Sequence, residues 1–143
     1  MIAGTGWGST EISASVAVAS GPVLMLKPES AGLPLPISEV SIRDEQGRPL
    51  PNGEAGEIWV RGAMVMQGYW NRPEATAAAL EDGWYKSGDI GTIDDRGFIQ
   101  IVDRLKDMVI SGGFNVYPRE IEDVLTSDPR VATAAVIGVP DPR

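Results

Sequence analysis

A chain of 143 residues with 43% hydrophobic side chains and scattered charge can form one ordinary domain or two small ones, and is too apolar for disorder. Its formal net charge of −8 argues against a basic stripe, so no nucleic-acid partner is expected. With neither cysteine nor histidine, disulfides, thiolate chemistry, the usual zinc sites and His-based nucleophile triads are excluded.

No basic residue precedes Lys27, so the Ala/Ser-rich run 12–20 lacks the charged start of a signal peptide. The longest apolar run, 131–139, is far short of the ~20 residues that a membrane span needs. A soluble, cytoplasmic chain without a membrane span is the expectation.

In chain order, Gly6-Trp7-Gly8-Ser9-Thr10-Glu11 reads as a turn. Glycines flanking Trp7 let the backbone bend around a flat ligand on which the indole stacks. Thr10 offers a hydroxyl and Glu11 a hard oxygen ligand, a pair suited to phosphate and Mg2+. A capped turn before a short helix fits the same residues. Stretch 21–36, rich in Pro and Gly, reads as a loop. Alternation through Val40 and Ile42, and again through Ile58 and Val60, predicts short strands separated by turns at 44–47 and 51–53. Such a pattern suggests a small antiparallel sheet or open barrel. Trp59, Met64 and Met66 read as packing.

Asn71-Arg72-Pro73-Glu74 has the form of an Asx cap with an acid three residues on, starting a short helix that Asp82-Gly83 would stop. Residues 84–87 read as a strand delivering Asp89, and 98–102 as a strand leading into Asp103 and Arg104. The turn Asp94-Asp95-Arg96-Gly97 between them puts Asp89 and Arg104 one out-and-back hairpin apart, where both can face one ligand. A carboxylate can accept both hydroxyls of a ribose, in bonds of about 1.5–3 kcal/mol each. Asp89 is also a plausible turn residue, and Arg104 a surface ion-pair partner of Asp103. Beyond them come a strand at 108–110, the turn Ser111-Gly112-Gly113-Phe114-Asn115, a helix opening at Pro118 with Ile121, Val124 and Leu125 on one face, and a buried strand at 131–139. The turn is too short for a phosphate-cradling loop.

Gly6–Glu11, Gly68-Tyr69-Trp70-Asn71-Arg72-Pro73-Glu74, Lys86-Ser87-Gly88-Asp89 and the run from Asp103 to Glu122 together resemble the adenylate-forming ligases, in that family's order and spacing over nearly the whole chain. Asp103-Arg104-Leu105-Lys106-Asp107-Met108 with Ser111-Gly112-Gly113 is more similar to the fatty-acyl and aryl-CoA ligase branch than to peptide-synthetase domains. The resemblance implies that Trp7, Gly8, Thr10, Asp89 and Arg104 contact ATP or AMP, with Trp7 in place of the more usual Tyr. Thr10 and Glu11 would serve catalysis, Glu11 by holding Mg2+. Lys106 would be the hinge, and Gly112 and Gly113 would line a tunnel for CoA. Gly68-Tyr69-Trp70 is typical of the family without obvious chemistry.

The implied fold is α+β: a barrel-like antiparallel subdomain with the adenylate-binding loop (1–103), a hinge (104–107) and the opening of a mobile C-terminal domain (108–143). A Ser/Thr/Gly-rich pyrophosphate loop and a later catalytic Lys are not found in the sequence, so it reads as an interior piece with negligible adenylation of its own. The implied activity is ATP-dependent ligation of a small carboxylic acid to CoA. A non-catalytic AMP-binding or interaction module, or an inactive remnant, are the competing readings.

Overall fold

The computed structural model describes residues 3–139. Strand β1 (Gly4–Ser9) leads through a single 3-10 turn (Thr10–Ile12) into strand β2 (Ala14–Ser20), its antiparallel neighbour. The expected turn therefore begins only at Thr10, because Gly6, Trp7 and Gly8 are paired in β1. Stretch 21–36 is not wholly loop. It holds helix α1 (Pro22–Leu26), with Pro22 in its first turn, and strand β3 (Leu33–Pro34), which completes a three-stranded sheet.

The second sheet contains β4 (Ser38–Arg43), β5 (Gly56–Gly62), β6 (Leu80–Glu81), β7 (Trp84–Ile93) and β8 (Ile99–Arg104), all paired antiparallel. In β4 and β5 alternate residues face the core as expected, Ile42, Ile58 and Val60 within it and Val40 packed against it, while Trp59 between Ile58 and Val60 is also buried. The two sheets meet where Ile99 exchanges backbone bonds with Ala31 (2.8 Å) and Gly32 (2.9 Å). They curl over one core of Ile12, Val16, Ile42, Ile58, Tyr85 and Ile99, with the indole of Trp7 packed at its margin. This is the expected open barrel. On the outer face, Arg43 lies between the rings of Trp59 (4.5 Å) and Trp84 (4.4 Å), with Arg61 over Trp84 and Lys86 over Trp59 continuing the stack.

Two local expectations change. Helix α2 (Pro73–Ala79) is preceded by Arg72, and no side chain caps it. Asn71 sits outside the helix in left-handed backbone (φ 55°), and Thr76 binds the Arg72 carbonyl from within. Asp82 and Gly83 do not stop this helix. They are the positive-φ corner (49° and 79°) of the β6–β7 hairpin, a geometry suited to a tight two-residue turn.

Beyond β8 come the hairpin β9 (Val109–Ser111) and β10 (Phe114–Val116), then helix α3 (Pro118–Thr126), which has Pro118 in its first turn as expected. Residues 131–139 form no strand, and Ile137 and Val139 are 78% and 75% exposed. A strand needs a ladder partner for its backbone groups, and among the described residues β9 and β10 pair only with each other.

Candidate nucleotide edge and pivot

The hairpin β7–β8 makes Asp89 and Arg104 direct cross-strand partners, one residue out of the register set at Ile93–Ile99, through a shift between Ile90 and Gly91. The arrangement depends on a bulge: between the pairs Glu57–Ile90 and Trp59–Lys86, β5 advances two residues while β7 advances four. A bulge bends the strand and re-aims its side chains. Here the re-aimed group is Asp89. Its Oδ2 accepts a hydrogen bond of 2.7 Å from Trp7 Nε1, and its Oδ1 lies 3.5 Å from Arg104 Nε. The Asp89 side chain is 20% exposed and that of Arg104 63%, so a partly sheltered carboxylate faces a largely exposed guanidinium.

Arg104 does not pair with Asp103. The Asp103 carboxylate accepts instead from the backbone N–H groups of Arg104 (2.7 Å) and Arg119 (3.1 Å). Gly8 is explained by packing: a Cβ there would lie 1.7 Å from the Ala14 carbonyl oxygen, so only glycine allows β1 and β2 to close beside Trp7.

Thr10 is exposed in the 3-10 turn. Glu11 follows it, with Tyr69 Oη donating to its Oε1 at 2.8 Å and Met66 N–H bonding its carbonyl at 2.7 Å. Its own backbone N–H, and then the Tyr69 hydroxyl, hold the Glu11 carboxyl below the usual carboxylate range. The same contact, with burial adding to it, pushes the Tyr69 phenol up to about 12. Burial chiefly raises Tyr85, which also feels the charges of Glu11 and Asp89 and so lies between the two halves of the site. The Ser9 hydroxyl sits beside this group, its oxygen buried and without a hydrogen-bond partner among the described residues.

Tyr69, Tyr85 and Glu57 escape a sequence reading. Gly68-Tyr69-Trp70 stands out only as a pattern, and nothing in its spacing links Tyr69 to a carboxylate 58 positions away. Among the described residues no cluster of three or more metal-ligating side chains occurs. A cation at Glu11 would thus need its remaining ligands from outside these side chains, such as phosphate oxygens and water.

Lys106 is exposed in the turn that follows β8. Its neighbour Leu105 donates N–H to the Gly88 carbonyl at 2.8 Å. Gly112 and Gly113 (φ 59° and 84°) are set by the tight β9–β10 turn, and no atom lies within 4 Å of a Cβ built on either. A cleft of about 610 Å³ lies elsewhere, between the outer sheet face and Leu105, Met108, Asn115 and Tyr117. Neither Trp7, Asp89 nor Arg104 lines it. Hydrogen bonding and charge, rather than concavity, mark the candidate edge.

Residues 3–70 match the AMP-binding enzyme family. Feruloyl-CoA synthase from Amycolatopsis is 51% identical over 96% of this chain and 28% of its own length. A long-chain-fatty-acid–CoA ligase from Yersinia pestis is 50% identical over 95% of this chain and 24% of its own. Among solved structures, o-succinylbenzoate CoA synthetase (MenE) from Bacillus subtilis aligns with TM-score 0.88 and 42% identity. This holds for its complex with the acyl-adenylate OSB-AMP (96% of this chain, 28% of that one) and with ATP and magnesium ion (97% and 29%). These relatives are CoA synthetases and ligases, and the solved MenE structures share the fold of this chain. The chain belongs to the adenylate-forming acyl-CoA synthetase family, and it spans between 20% and 28% of the length of the curated relatives it matches.

Proposed function

We propose that this chain supplies the nucleoside-binding edge and the pivot of an ATP-dependent carboxylate–CoA ligase. In that reaction a carboxylate oxygen attacks the α-phosphorus of ATP and expels pyrophosphate. The CoA sulfur then attacks the acyl carbon and AMP leaves.

Asp89 accepts the ribose hydroxyls, Arg104 reaches the ribose or phosphate from the facing strand, and the indole of Trp7 stacks on the adenine. Thr10 donates its hydroxyl to the phosphate, and Glu11 turns its remaining oxygen to Mg2+. The metal's contribution is neutralisation of charge at the phosphate. Lys106 lies at the pivot (104–107) between the barrel (1–103) and the mobile unit (108–143), since a hinge needs only a few exposed residues able to absorb dihedral change. The open space around Gly112 and Gly113 suits the passage of a thin thiol chain.

One observation carries this reading: Asp89 is held between Trp7 and Arg104, three residues distant in sequence that meet at a single carboxylate. Calorimetric titration of the purified chain with AMP tests it. Asp89→Ala is expected to weaken binding by about thirtyfold, the equivalent of one or two charge-assisted bonds. Equal binding by wild type and variant removes Asp89 from the site, and no binding by wild type rejects the edge as a nucleotide site in this chain.

A further inference from the structure

The bulge that aims Asp89 leaves backbone groups of β7 without ladder partners, and each must find one elsewhere. The carboxylate of Glu57, on the neighbouring strand β5, takes the first of them. Its Oε1 accepts the Gly88 N–H at 3.0 Å, while its Oε2 accepts the indole N–H of Trp59 at 2.8 Å. The Gly88 carbonyl accepts from Leu105 N–H at 2.8 Å, and the Asp89 N–H donates to Ser87 Oγ at 3.1 Å. The peptide units on either side of Gly88 are thereby held in both directions. Glu57 is itself fixed, because Trp59 is 3% exposed and cannot move with solvent. Glu57 touches neither Asp89 nor Arg104. It acts on the backbone that carries Asp89.

From this geometry we infer that Glu57 is a positioning residue: by clamping the Gly88 N–H it fixes the bulge that points the Asp89 carboxylate at the ribose, and the Gly88 carbonyl ties that same peptide segment to the pivot at Leu105. The inference rests on the reading of Asp89 as the ribose acceptor. It adds a consequence for motion. Rotation at the pivot that breaks the Leu105–Gly88 bond leaves Glu57 as the remaining clamp on Gly88, so the nucleoside edge keeps its shape while the following unit moves. Bulge residues free to re-pair with β5 would lose the Asp89 orientation.

Two measurements on the full chain separate this inference from the reading beneath it. The first is amide hydrogen exchange of Gly88 in the free chain, which needs no ligand. Glu57→Gln, nearly isosteric, is expected to speed Gly88 exchange at least tenfold while the amides of Ile58 and Val60 keep their protection and so report an intact barrel. Glu57→Ala is expected to do the same, more strongly. If either variant retains the barrel and leaves Gly88 exchange at the wild-type rate, the clamp does not exist. If both lose barrel protection, Glu57 is a structural residue and the inference is overturned.

The second measurement compares binding of AMP and of 2′,3′-dideoxy-AMP. Wild type is expected to prefer AMP by about thirtyfold, and Glu57→Gln to reduce that preference to about threefold, with dideoxy-AMP affinity little changed. A variant that weakens both ligands equally overturns the positioning role and leaves the nucleotide reading intact. A wild type that does not distinguish them defeats the ribose reading, and with it the purpose assigned to Glu57.

Discussion

Segments 4–104 and 105–139 are built from similar parts, antiparallel hairpins with short proline-led helices, yet they differ in what they bury. In the first, two sheets fold over a shared core, and Ile58, Val60 and Ile99 are fully enclosed. In the second, a two-stranded hairpin and a nine-residue helix leave Ile110, Phe114 and Val124 67–75% exposed. The amphipathic stripe of α3 exists in both sequence and structure, but it gains nothing until another surface covers it. Local pattern is enough to form an element; enclosure by a second layer is what makes it stable.

The largest test of this contrast is truncation of one side chain on each side. Ile99→Ala, in the seam between the sheets, is expected to cost about 3 kcal/mol, read as a drop in the urea midpoint. Val124→Ala, on the open face of α3, is expected to stay within about 0.5 kcal/mol. Similar losses at both positions would mean that the second segment is packed as tightly as the first. Hydrogen exchange sharpens the point: amides of β5 and β7 are expected to exchange only through global unfolding, and those of β9 and β10 through local opening.

A smaller effect concerns alkali. Since the folded chain holds the Tyr69 proton more tightly than the unfolded chain does, the stabilisation from this contact is complete below pH 10 and is lost as pH rises through about 12. Absorbance titration is expected to find one of the three tyrosines ionising near pH 12, and Tyr69→Phe to remove it. The smallest effect lies in acid. Lys27, followed by the backbone N–H of Phe98, holds the Asp94 carboxyl below its ordinary range. Its contribution is present above the ordinary carboxylate pKa and disappears as pH falls through the lowered folded value. Asp94→Ala should therefore flatten the acid limb of stability slightly, and an unchanged limb would remove Asp94 as its source.

Much of the barrel was legible because β4, β5 and the Asp94–Gly97 turn are specified by neighbours in sequence. Alternate residues directed at the core and a turn whose Asp94 Oδ1 accepts the Arg96 and Phe98 N–H groups are both readable from sequence neighbours. That Asp89 and Arg104 can face one ligand followed from hairpin spacing, but their direct pairing needs the register shift between Ile90 and Gly91, which the spacing does not show. What the sequence hid depends on tertiary approach. The sequence offers the ring face of Trp7 to a ligand but gives no sign that its N–H reaches a carboxylate 82 positions away. Asn71 had the chemistry of a cap, but the chain enters α2 from a left-handed residue and leaves the capping position to Arg72. The run 131–139 is apolar enough for a buried strand. Apolarity, however, does not supply the adjacent strand that its backbone would need.

The stack of Arg61, Trp84, Arg43, Trp59 and Lys86 has an evolutionary consequence. Its five members come from three adjacent strands, and each inner member serves two neighbours, so loss of one devalues the others. Substitutions at these positions should be epistatic: Arg43→Lys, mild on an ordinary surface, is expected to cost more while Trp59 and Trp84 are both present than after either has been replaced. Such a set tends to persist or be exchanged as a group, and single-step drift across this face of the sheet should be slow.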